Sequence, residues 1–158
     1  MPTDPPNDTF DPAAEAHIAA LIEFFEGGIP FNKHLGMKVV TLTATACRVY
    51  VPFSDFLIGD PFRPAIHGGV LSTLADTAGG LAVFVRVGSI AARVSTVDLR
   101  IDYYAPGPLS DLYADAEVVR LGNRVAIARI FIHAGDPASP IAEGKGVYNV
   151  HSPHSKKA

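Results

Sequence analysis

Apolar positions along the chain recur with two different periods. In DPAAEAHIAALIEFFEGG, Asp11 to Gly28, the residues Ile18, Leu21, Ile22 and Phe25 fall at i, i+3, i+4 and i+7. That stripe predicts a helix packed on something larger. Asp11 suits its N-cap and Pro12 its first position, and Gly27-Gly28 should stop it. From Gly36 to Phe53, GMKVVTLTATACRVYVPF is rich in Val and Thr and alternates with period two. It predicts one bent strand, or two strands parted around Thr43–Ala46. In STVDLRIDYYAP the alternation places Val97, Leu99, Ile101 and Tyr103 on one face and Thr96, Asp98, Arg100 and Asp102 on the other. DLYADAEVVRL and RVAIARIFIH follow, joined by a hairpin turn at Gly122-Asn123, and PIAEGKGVYNV closes the set. Connections this short predict an antiparallel sheet, because parallel neighbours need crossover helices.

One stretch has neither pattern. AIHGGVLSTLADTAGGLAVF, Ala65 to Phe84, is apolar or small nearly all round and carries a single carboxylate, Asp76. A bilayer span needs about 20 apolar residues, but four glycines, Ser72, two threonines and Asp76 dilute this run. A helix apolar on all sides is otherwise a buried one. The predicted fold is therefore α+β, an antiparallel β-sheet wrapped around a long central helix. Gly68, Gly69, Gly79 and Gly80 each weaken that helix by about 1 kcal/mol relative to Ala. Such a cost predicts close approach to its backbone at the start and again near the end.

Composition narrows the possibilities. The 158 residues fit one domain, expected over 13–150, after a disordered start over 1–12 and before a flexible tail over 151–158. A net charge of −3 gives no basic field for nucleic acid or an anionic membrane. Cys47 is the only cysteine, which excludes an internal disulfide and a Cys-based zinc site. With no secretory pattern in MPTDPPNDTFDP, the expected location is the cytoplasm. The six histidines are scattered, including His151 and His154 in the expected tail, and no glycine-rich phosphate loop occurs. No metal and no cofactor are expected.

A carboxylate inside an apolar helix has two readings. It can be structural, bonded to backbone or to Thr73 and Thr77, or it can be a general base or nucleophile. Gly68 and Gly69 lie where the helix begins, so their N–H groups lack intrahelical partners and face the positive dipole end. That end suits a developing oxyanion. Gly68 and Asp76 are eight residues apart, about 12 Å along the axis and about 80° around it. One small carbonyl cannot touch both in a single chain. Two copies with antiparallel helices would bring them together, which predicts a homodimer with two sites across its interface.

The segments HGGVLSTLADTAGG, STVDLRIDYYAP and LGNRVA together resemble the hotdog-fold acyl-CoA thioesterases, in particular the phenylacetate-pathway-like branch, over roughly residues 31–150. The resemblance implies hydrolysis of an acyl-CoA thioester. Asp76 would activate water or attack the acyl carbon, the Gly68 N–H (with Gly69 beside it) would polarise the carbonyl, and His67 would shape that turn. Thr96 falls where related enzymes carry Ser or Thr near the acyl site. Arg120 matches a basic position for the nucleotide phosphates, with Arg124, Arg63 and Arg93 as further candidates. It also implies a homodimer or a pair of such dimers. The chain departs from the family at Pro61, six residues before His67, where relatives carry an Asn that holds the attacking water. Asp60 and Arg63 are the nearby substitutes. The hydratase branch of the fold needs its His in a different motif. A non-catalytic acyl-CoA-binding or sensing module is the alternative reading. For Phe56, Leu57, Phe62, Leu71 and Phe84 a core role is the simpler expectation, a pocket lining the other.

Overall fold

The computed structural model describes residues 12–89 and 91–151. The expected cap at Asp11, the N-terminal segment 1–11 and the tail 152–158 lie outside the described residues. The elements are α1 (Pro12–Glu23), α2 (Pro30–Leu35), β1 (Lys38–Leu42), β2 (Ala46–Val51), β3 (Ile58–Asp60), β4 (Ala65–Ile66), α3 (Gly68–Val87), β5 (Arg93–Tyr103), β6 (Leu112–Leu121), β7 (Val125–His133) and β8 (Ala142–His151). Six strands form one antiparallel sheet in the order β1-β2-β6-β7-β8-β5, and β3 and β4 pair in a small hairpin of their own. The 36–53 stretch is two strands, parted where Thr43 closes a turn on Ala46. His151 ends β8, opposite Arg93, and does not begin a tail.

The first helix is shorter than its stripe predicts. The α-helix ends at Glu23, and Phe24–Gly28 form a π-helical turn before α2, an element whose six residues carry too little periodicity to read. The stripe itself is placed as expected, with Leu21 and Phe25 buried and Ile18 and Ile22 half-buried.

The core lies between α3 and the concave face of the sheet. Leu71, Leu74, Ala75, Ala78, Leu81, Ala82 and Val83 are buried, and α3 contacts β2, β5, β6, β7 and β8. The sheet meets it with small side chains: Ala114 and Ala116 of β6, Ala126 and Ala128 of β7, and Ala142, Gly144 and Gly146 of β8. Small residues opposite leucines let backbone and sheet approach closely and keep the interior dense. Although α3 is long and apolar enough to cross a bilayer, with a mean hydropathy of 1.4, its packing on the sheet accounts for that composition. The close approach is tightest at Gly79, where a Cβ would collide with the Tyr148 hydroxyl.

On the outer face Arg48 grips Asp115 with two charge-assisted hydrogen bonds, of 2.5 and 2.7 Å. Tyr50, Tyr113 and the buried His133 stack beside the pair across three strands. Partial burial pushes the Asp115 carboxyl up, but the Arg48 hydrogen bonds and charge outweigh it and hold the group below its ordinary value.

Two outcomes are expected in urea titrations. Gly79→Ala should destabilise the protein by about 1–3 kcal/mol through overpacking. Gly80→Ala should be neutral or gain up to about 1 kcal/mol of helix propensity, because its Cβ would meet only the Tyr148 ring at 3.7 Å. Asp115 has a depressed folded value, so its stabilisation is present above the unfolded pKa of about 3.9 and is lost as pH falls through the folded one. Asp115→Asn should therefore flatten the acid limb of stability against pH.

Candidate active site

On the side of α3 away from the core, Thr73, Asp76, Thr77, Gly80 and Phe84 fall at i, i+3, i+4, i+7 and i+11 and line one cleft. Phe25, Phe31 and Asn32 close it from the N-terminal helices, and Thr96 and Tyr148 from the sheet. Asp76 is half-buried there. Its Oδ1 accepts a hydrogen bond from the Thr96 hydroxyl at 2.7 Å, and its backbone carbonyl accepts one from the Tyr148 hydroxyl at 3.2 Å. Oδ2 has no partner among the described residues. Thr73 does not serve Asp76; its hydroxyl donates to the Gly69 carbonyl at 2.8 Å. Burial first, and the Asp76 charge second, push the Tyr148 phenol above its ordinary value, so it stays a neutral donor.

Strict alternation along β5 places Thr96 on the face away from Leu99 and Ile101. The structure corrects this. A bulge between Thr96 and Asp98 leaves Val97 unpaired against β8 and exposed. One extra residue shifts the register, so Thr96, Leu99, Ile101 and Tyr103 all point to the helix side.

The start of α3 is a tightly bonded turn. The His67 N–H donates to the Leu57 carbonyl at 2.8 Å, and His67 Nδ1 accepts the Gly69 N–H at 2.8 Å. The Gly68 carbonyl accepts from the Tyr103 hydroxyl at 3.1 Å and from the Ser72 hydroxyl at 3.3 Å, and those two oxygens lie 2.6 Å apart. Of the two expected donors, Gly69 is thus occupied, while the Gly68 N–H meets no acceptor among the described residues. Gly59 lets the loop close on this turn, since a Cβ there would sit 2.6 Å from His67 Cα.

The remaining candidates divide between the two ends of the domain. Arg93 pairs with His151, and the Arg124 carbonyl accepts the Val150 N–H, so Arg93, Arg124 and the nearby Arg120 share one end of the sheet. Arg63 lies at the other end, five residues before Gly68, with its side chain exposed. Asp60 accepts the N–H groups of Phe62 and Arg63 with Oδ1, so its carboxylate is engaged in its own turn beside Pro61. Leu57 and Leu71 are core residues, and Phe84 lines the Asp76 cleft. Phe56 and Phe62 are not core: both are exposed, Phe62 at 94%. Asn32, Ser72, Tyr103 and Tyr148 carry polar groups at the site that the sequence patterns did not single out. Only Tyr148 had a readable trace, its place in a strand opposite Thr96.

Residues 64–141 match a family model described as the thioesterase superfamily. A Halobacterium salinarum protein bearing an esterase name is 35% identical over 139 residues, covering 84% of this chain and 91% of its own length. The chain belongs to the thioesterase superfamily. It is a thioester hydrolase with the hotdog architecture that the sequence resemblance implied. YigI of Escherichia coli, a medium/long-chain acyl-CoA thioesterase, is 30% identical to this thioesterase over 132 residues, covering 76% of the chain and 85% of YigI. A solved structure from Shewanella oneidensis, related to the same superfamily, superposes with a TM-score of 0.80 at 27% identity, covering 90% of this chain and all of that one.

Proposed function

We propose that this thioesterase hydrolyses acyl-CoA at two sites formed across a two-fold dimer. The observation that carries the reading is Asp76, with one carboxylate oxygen held by Thr96 and the other without a partner among the described residues, at the wall of a largely apolar cleft. In each site, Asp76 of one subunit takes a proton from water as the water oxygen bonds to the thioester carbon. The carbonyl oxygen becomes an oxyanion and accepts the Gly68 N–H of the partner subunit. Collapse restores the carbonyl and breaks the C–S bond, and the proton held by Asp76 passes to the departing CoA sulfur. Direct attack by Asp76 would instead form an anhydride that water then opens.

Three features support the dimer. Gly68 opens a rigid helix and Asp76 stands in its third turn, too far along and around the axis for one carbonyl to reach both. Among the described residues β5 is a sheet edge, paired on one side only by β8, and an unpaired edge of this length invites a second strand. Tyr103 is beside Gly68 and Thr96 beside Asp76. Two β5 edges paired antiparallel about Leu99–Arg100 would therefore set one subunit's Gly68 opposite the other's Asp76. The same two-fold would bring Arg63 of one subunit towards the end bearing Arg93, Arg120 and Arg124 of the other, giving the CoA phosphates a divided basic site. Phe25, Phe31 and Phe84 would then bound the acyl group. The name of the YigI relative supports a CoA substrate, and the lone buried Cys47 supports a reducing, cytoplasmic setting.

Thiol release from phenylacetyl-, benzoyl-, hexanoyl- and lauroyl-CoA tests the reading, with sedimentation of the same samples for mass. The wild type should turn over at least one of these as a dimer or larger. Asp76→Asn should lose at least about tenfold in kcat, roughly 1.4 kcal/mol of barrier, and Thr96→Val should lose less. A single turnover in ¹⁸O-water tests for direct attack: label in Asp76 with none in the released acid marks an anhydride opened by water at the Asp76 carbon, whereas general-base hydrolysis places the label in the acid. CoA binding without turnover of any substrate would favour the binding-module alternative, and an active monomer would overturn the shared site.

A further inference from the structure

The Gly68–Gly69 peptide is held at both of its polar ends. Its N–H is bonded to His67 Nδ1, and its carbonyl receives the converging hydroxyls of Tyr103 and Ser72. Each hydroxyl has one proton. With the two oxygens 2.6 Å apart, one donates to the carbonyl while the other donates to its neighbour, and the pair acts as a unit. Three parts of the chain thus fix one peptide plane: the loop before α3, its second turn and the end of β5.

We infer that Tyr103, acting with Ser72, is a positioning residue that fixes the Gly68–Gly69 peptide and so aims the adjacent Gly68 N–H at the reacting carbonyl. The inference rests on the oxyanion role proposed above for Gly68. Two consecutive glycines have the widest backbone freedom of any pair, and they stand in the first turn, where N–H groups have no partner in the preceding turn. Left alone, this turn would fray and the Gly68 N–H would sample many directions. A donor stabilises an oxyanion well only when it is aimed before the charge develops. Packing does not require the Tyr103 hydroxyl. The ring already meets Gly68, at 3.5 Å from the Cβ position, and the side chain is half exposed, so water could satisfy its oxygen. What the hydroxyl adds is a second hold on the carbonyl, beside the helical N–H of Ser72.

Tyr103→Phe keeps the ring and removes that hold. Its kcat on the best acyl-CoA should fall by about tenfold with KM changed less than about twofold, the pattern of an interaction expressed in the transition state. Its melting temperature should match that of the wild type. Ser72→Ala should cost less, and the double variant should fall no further than Tyr103→Phe alone, because the two hydroxyls act together. Amide hydrogen exchange gives a readout independent of activity: Gly69 should exchange faster in Tyr103→Phe while amides in the middle of α3 keep their rates. Unchanged kcat, a rise in KM alone, or a kcat loss with Gly69 exchange unchanged would each overturn the inference. Should the wild type release no thiol while Tyr103→Phe still frees the Gly69 amide, the hold on the peptide stands and the thioesterase site falls.

Discussion

The close packing of α3 on the concave face of the sheet sets the rest of the structure. Leu71, Leu74, Ala75, Ala78 and Leu81 form the covered side, and alanines and glycines across β6, β7 and β8 let it come close. A carboxylate on that side would be buried without water and at a prohibitive cost. Asp76 lies on the opposite stripe with Thr73, Thr77, Gly80 and Phe84, where the helix borders a cleft. The one carboxylate in this apolar helix marks the side that the sheet leaves open.

A rigid helix also divides the chemistry. Its first turn offers the free N–H and its third turn the carboxylate, and the distance between them is fixed by helical rise. β5 supplies a side chain to each place, Thr96 to Asp76 and Tyr103 to the Gly68 carbonyl. It is also a free edge of the sheet. The strand that orders both halves of the site is therefore the strand best placed to join two copies. Any shift of β5 in such a pairing would move together the Gly68 N–H and the Asp76 carboxylate, the two groups proposed as oxyanion donor and base.

Much of this was legible in the sequence. The apolar run around Asp76 identified the central helix, and period-two stretches gave the strands and their antiparallel pairing. Of the costly glycines, Gly79 and Gly69 do mark close approach, by the Tyr148 hydroxyl and by His67 Nδ1, whereas a Cβ at Gly68 or Gly80 would meet only ordinary contacts with Tyr103 or Tyr148. Periodicity could not show the bulge at Val97, since one unpaired residue reverses every face assignment beyond it and leaves composition unchanged. For that reason Thr96 was placed on the wrong face by pattern and on the right site only by resemblance. The π-helical turn and α2 were missed because both are too short to carry a period. Ser72 and Tyr103 gave no signal either. Their hydroxyls meet each other across 31 residues and the Gly68 carbonyl lies 35 residues from Tyr103, relations created by the fold.

Two of the partly buried aspartates among the described residues, Asp76 and Asp115, stand in contrasting settings, and the contrast bears on why Asp76 is held by a hydroxyl. On the outer face Arg48 occupies both oxygens of Asp115, and the carboxyl is held below its ordinary range. Such a carboxylate is a weak base, because the cation that stabilises it must be overcome before it can accept a proton. Thr96 donates a single neutral hydrogen bond to Asp76 Oδ1. That bond fixes the plane of the carboxylate and leaves Oδ2 free to accept a proton. Beside it Tyr148 is kept protonated by burial and bonds to the Asp76 backbone, so it steadies the residue without competing for its charge. Orientation without neutralisation is what the general-base role proposed for Asp76 requires, and of these two aspartates Asp76 is the one held in that way.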